Sequence, residues 1–171
     1  MLKVGRVLVV AAVLAVLVAA CSGSGAESPP IDGATQAVLS VSAVDIGCTE
    51  CRNRPIFVRN QLITSDTLVG EEQPMPQQVR DEIAAMFPDA TFVSRAEENA
   101  LFVDGVVAND GVIVYVGSLE ELSSDVVGVP IGMVTARDGA KFVIVQFKWN
   151  GDSWEHATSE DTGITVTTAV S

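Results

Sequence analysis

From Ala37 onward the chain is built of short apolar runs separated by compact clusters of turn residues, and one stretch departs from that rhythm. Val79, Ile83, Met86 and Phe87 recur at i, i+4, i+7 and i+8, which predicts a helix opened by Met75-Pro76 and stopped by Pro88. Its outer face, Gln78, Arg80, Asp81 and Glu82, is expected in solvent. Ala37 to Ile46, with Val38, Leu39, Val41, Val44 and Ile46 and no charge before Asp45, reads as a strand. Pro55 to Ile63 also reads as a strand through Ile56, Phe57 and Val58, although Val58 and Leu62 would suit a helical stripe as well. Further strands are expected over Thr91 to Ser94, Ala100 to Val103, Val112 to Val116, Val127 to Ala136, Lys141 to Trp149 and Ser153 to Thr158. Ile164 to Val170 is a candidate final strand.

The punctuation between these runs is Asp104-Gly105, Asn109-Asp110-Gly111, Asp138-Gly139 and Asn150-Gly151. Such steps favour hairpins because they accept positive φ. The last three runs therefore read as an antiparallel meander. Val143, Val145, Phe147 and Trp149 share one face, taken as the core face, and Phe142, Ile144, Gln146 and Lys148 share the other. Parity across the Asn150-Gly151 turn places Trp154 and His156 on the Phe147 side. The predicted fold is α+β, one main helix packed on a largely antiparallel β-meander sheet, in a single domain over residues 37–171.

The amino-terminal stretch follows a different logic. Lys3 and Arg6 precede an apolar run from Val7 to Ala20, shorter than the roughly 20 residues that cross a bilayer. The run ends in Val18-Ala19-Ala20-Cys21, which resembles the lipobox of a bacterial lipoprotein. That resemblance implies a signal peptide over residues 1–20, acylation of Cys21, and a domain facing the extracytoplasmic side of a cell membrane or outer membrane. Ordinary secretion with cleavage at the same small residues is the competing reading. From Cys21 to about Gln36 the composition is that of a flexible tether, spanning on the order of 20 Å.

Removal of the signal takes Lys3 and Arg6 and no acidic residue, leaving 8 Lys plus Arg against 22 Asp plus Glu, a formal balance of −14. This argues against nucleic acid and anionic lipid as partners, since both need a basic footprint. Membrane association is thus expected through the lipid on Cys21. Other partners would be an envelope protein or a small ligand. Phe147 to Trp154 also resembles small actinobacterial secreted proteins of unknown function, a likeness that implies no activity.

One motif carries chemistry. Cys48-Thr49-Glu50-Cys51 is an even pair that an oxidising compartment closes into a structural disulfide. The alternative is an extracytoplasmic thiol–disulfide oxidoreductase in which Cys48 attacks and Cys51 resolves, with Arg52 and Arg54 favouring the thiolate. The region resembles the thioredoxin-like pattern in having a strand before the pair, Pro55 after it, and a later Val129-Pro130 in the place of the family's cis-proline. It departs from that pattern in its Thr-Glu insert, in lacking a Trp before Cys48, and in the charge of Glu50, which opposes a thiolate. Arg52 after the pair, where haem attachment needs His, argues against haem. The single histidine, His156, is expected to be a packed or edge residue. Glu71-Glu72, Glu97-Glu98 and Glu120-Glu121 read as solvated surface, without the spacing of a calcium loop. No Gly-x-Ser-x-Gly, His-Glu-x-x-His or phosphate-loop motif occurs, and no metal or cofactor is expected.

Overall fold

The computed structural model describes residues 31–63 and 72–163. The lipobox with Cys21, most of the expected tether, Glu71 and the candidate strand Ile164 to Val170 lie outside them. In chain order the elements are α1 (Gly33–Gly47), β1 (Ile56–Ile63), β2 (Glu72–Pro74), α2 (Gln77–Met86), β3 (Thr91–Val93), α3 (Arg95–Ala100), β4 (Phe102–Val103), β5 (Val106–Val107), β6 (Val112–Gly117), β7 (Glu120–Ser123), β8 (Val126–Ala136), β9 (Gly139–Trp149), β10 (Trp154–Ala157) and α4 (Ser159–Thr162).

The expected strand over Ala37 to Ile46 is a helix. Asp32 caps it, accepting the backbone N–H of Thr35 at 2.8 Å, and these bonds hold the Asp32 carboxyl below its ordinary value. Gly33 to Gln36, read from composition as the end of the tether, form its first turn. Valine-rich composition favoured a strand, but the run lacks period-two alternation. Burial of Ala37, Ser40, Val41, Val44 and Cys48 along one helical stripe against α2 and the sheet overrides local preference. There is thus no single main helix: α1 is longer than α2, and the two pack together. In α2 Val79, Ile83 and Phe87 are buried as the pattern requires, whereas Met86 is 46% exposed.

The sheet is mixed, not a purely antiparallel meander. Its order is β10-β9-β8-β6-β1-β2, with β1 parallel to both β6 and β3. β8, β9 and β10 are consecutive antiparallel neighbours, and Trp154 opposes Trp149 while His156 opposes Phe147. β6 separates two cores. Val112, Val114 and Val116 face the helices together with Val58, Ile131 and Val145. Ile113 and Tyr115 face the other way, with Ile63, Val107 and Phe142. An unbroken apolar run therefore marks a strand covered on both faces.

The second face is covered in part by α3 and the β4–β5 hairpin. The strand expected from Ala100 is correspondingly shorter: Ala100 ends α3, and only Phe102 and Val103 are extended. The hairpin turns through Asp104 and Gly105 at φ 52° and 86°, as the Asp-Gly step requires. On β8, Pro130 sits between the stretch paired with β7 and the stretch paired with β6, where a missing N–H costs no ladder bond on that side.

Candidate functional site

At its carboxyl end α1 runs directly into the cysteine pair. The Cys48 N–H still bonds to the Val44 carbonyl at 2.9 Å, and a 3-10 turn over Thr49–Arg52 brings Cys51 back to it. The two are disulfide-bonded, with Cα atoms 5.3 Å apart, and both are buried in the core beneath the helices. A helix, not a strand, therefore precedes the pair. Its carboxyl end carries the negative pole of the helix dipole, the reverse of the environment that stabilises a thiolate. Val129-Pro130 does not supply a cis-proline, for there is no cis peptide among the described residues.

The two arginines that flank the turn are held very differently. Arg52 is 63% exposed and paired with Asp45, donating from Nε at 3.1 Å and from Nη2 at 2.8 and 2.7 Å to the two carboxylate oxygens. Arg54 is only 32% exposed, yet its nearest carboxylates, Asp110 and Glu50, stand at 3.6 and 3.8 Å. Those distances are Coulombic contact without hydrogen bonds. Both arginines line a cleft of about 390 Å³ between the 3-10 turn and the end of α2. Ile56, Met86, Phe87, Pro88 and Ala90 supply its apolar surface, and Cys51 forms part of its wall. The partial exposure of Met86, unexpected from helical periodicity, belongs to this cleft.

A second polar cluster lies across the sheet. Ser94 caps α3 in a reciprocal box with Glu97: the Ser94 N–H donates to the Glu97 carboxylate at 2.7 Å, and Glu97 N–H returns to the Ser94 hydroxyl at 3.3 Å. These bonds hold the Glu97 carboxyl below its ordinary value. The adjacent Glu98 faces the sheet, where it accepts hydrogen bonds from Arg59 and from the Tyr115 hydroxyl. Burial, reinforced by that bond to Glu98, pushes the Tyr115 phenol well above its ordinary value. Arg59 also donates to Gln61 at 3.2 Å and lies 5.5 Å from the Tyr115 ring centroid. Glu98 is thus not the solvated residue its acidic neighbour suggested. The capping-box spacing Ser94-x-x-Glu97 was the signal that could have found α3, but nothing local marks Arg59 and Tyr115 as its partners.

The remaining candidates separate. His156 is exposed on edge strand β10, its ring edge-on to Phe147 at 6.4 Å. Glu120 and Glu121 lie on the short strand β7, which pairs with β8. Among the described residues, no group of three or more His, Cys, Asp or Glu is placed to hold a metal, and no helix is long and apolar enough to cross a membrane. Comparison of the chain with protein-family models, with characterised proteins and with solved structures gives no match.

Proposed function

We propose that this chain is a cell-envelope lipoprotein: Cys21 carries the lipid, and the α+β domain works outside the cytoplasm as a binding module. The observation that carries this reading is the buried Cys48–Cys51 disulfide, because such bonds persist in oxidising compartments and are rare where glutathione keeps thiols reduced. It agrees with the basic and apolar leader that ends in Val18-Ala19-Ala20-Cys21. The acidic balance points the same way, since it leaves the lipid as the means of holding the membrane.

The oxidoreductase alternative draws less from the geometry. An exchanging cysteine needs access and a stabilised thiolate, whereas Cys48 is buried at the negative end of α1, two residues from Glu50. Fractionation and intact-mass analysis of the protein from its native host test the main reading. The product is expected in the membrane fraction, beginning at an acylated Cys21, with Cys48 and Cys51 unreactive toward a thiol reagent until reduced. An unmodified amino terminus, or a soluble product with free thiols, overturns it. Catalysed reduction of an insulin disulfide, lost in Cys48→Ser, would favour the alternative.

A further inference from the structure

The cleft beside the disulfide joins two features: an arginine two-thirds covered whose guanidinium makes no hydrogen bond among the described residues, and an adjoining apolar surface. We propose that it binds a small organic carboxylate with an apolar body, the carboxylate on Arg54 and the body on Ile56, Phe87 and Met86. This deepens the reading of the domain as a binding module and rests on it.

The contrast between the two arginines carries the argument. Arg52 has an exposed head whose Nε–Nη2 edge is already clasped by Asp45 in three hydrogen bonds, so its charge is paired and that edge of its fork is filled. Arg54 is two-thirds covered, and its guanidinium makes no hydrogen bond among the described residues. A planar fork of N–H donors matches a carboxylate in bidentate fashion, and such charge-assisted pairs are the strong ones. Glu50 and Asp110 stay too far off to fill it, at 3.8 and 3.6 Å.

Charge and size narrow the class. Asp45 and Asp89 also line the cleft, so a doubly charged phosphate would meet more repulsion than a single carboxylate does. A volume of about 390 Å³ falls at the low end of the range for small-molecule sites. Ile56 and Phe87 are apolar and buried, and the partly exposed, flexible Met86 side chain adapts to bodies of different shape. An unbranched or compact apolar tail fits such a surface.

Calorimetric titration with three probes of one shape, hexanoate, 1-hexanol and hexylamine, tests this. The protein is purified from whichever cell fraction carries it, so that an absent lipid anchor does not silence the measurement. Hexanoate is expected to bind saturably at one per chain, with hexanol weaker by about tenfold or more and hexylamine weaker still. Arg54→Gln is expected to weaken hexanoate by about tenfold while leaving hexanol unchanged, and Arg54→Lys to fall between. Far-ultraviolet circular dichroism checks that each variant is folded. Should Arg54→Gln unfold the domain, the order of the three probes on the unaltered protein still decides. Hexylamine binding as tightly as hexanoate, a folded Arg54→Gln variant with unchanged affinity, or no saturable hexanoate binding up to about 10 mM overturns the proposal.

Discussion

The Tyr115 hydroxyl donates to the Glu98 carboxylate, and in doing so ties α3 to the central strand β6 across seventeen residues of chain. Arg59, on the neighbouring strand β1, completes the arrangement by donating to the same carboxylate. This cluster is a charged element on the second face, next to the apolar side chains of Ile63, Val107 and Phe142. Its members depend on one another, because a partly buried charge that loses its partner keeps its desolvation cost.

Glu98→Ala is therefore expected to cost about 2–3 kcal/mol of folding stability, and Tyr115→Phe about 1.5 kcal/mol. The two are expected to be non-additive, with a coupling of at least about 0.5 kcal/mol in a double-mutant cycle read by urea denaturation. Strict additivity would show that the bond contributes nothing to stability.

Tyr115 also sets an alkaline limit. Its folded-state value is raised by burial and by Glu98, so the unfolded chain gives up the phenolic proton first, near pH 10. The associated stability is complete below about pH 10 and is lost as pH rises beyond it. Because the chain has a single tyrosine, phenolate absorbance reports it directly. The signal is expected to appear together with unfolding, and titration of the native protein at an ordinary tyrosine value would contradict this.

The disulfide closes a very short ring, so its stabilising effect is modest. Loop-closure entropy predicts that reducing the bond costs about 2 kcal/mol and leaves the domain folded. Denaturation with and without reductant measures this, and the double variant Cys48→Ser, Cys51→Ser is expected to lose more, because two hydroxyls then lie in the apolar core. A protein indifferent to reduction would remove the structural role assigned to the bond.

Gly117 and Gly139 are expected to respond in opposite ways to the same substitution. A Cβ on Gly117 would stand 2.7 Å from three atoms of the rigid Pro130 ring, whereas one on Gly139 finds its nearest neighbour, the Ala136 Cβ, at 3.5 Å. Gly117→Ala should destabilise by about 1–3 kcal/mol and Gly139→Ala by no more than about 0.5 kcal/mol. Equal thermal shifts for the two variants would refute the close approach of β6 to Pro130.

Local rules were sufficient wherever the signal itself is local. The prolines and the i, i+4 stripe located α2, and Asp104-Gly105, Asp138-Gly139 and Asn150-Gly151 marked hairpins, whereas Asn109-Asp110-Gly111 joins β5 to β6, which do not pair. Parity across a four-residue loop correctly put Trp154 and His156 beside Trp149 and Phe147. Short elements such as β2, β5 and β7 carry too few residues to show a period, and were missed. α1 failed for another reason: it is apolar almost all round, so neither helical nor strand periodicity stands out, and valine content tipped the reading the wrong way.

Read one residue after another, the chain established the turns, the alternation of the carboxyl-terminal strands, the amphipathic α2 and the nearness of Cys48 to Cys51. Tertiary structure alone decided that Val38 and its neighbours coil into a helix, that β1 lies parallel to β6, and that Glu98 meets Arg59 and Tyr115. It likewise set Arg54 beside Ile56 and Phe87 in one cleft. The division has a physical cause. Turn chemistry and periodicity act over a few residues, whereas burial on both faces of a sheet and the pairing of charges depend on groups far apart in the chain, whose meeting no local preference encodes.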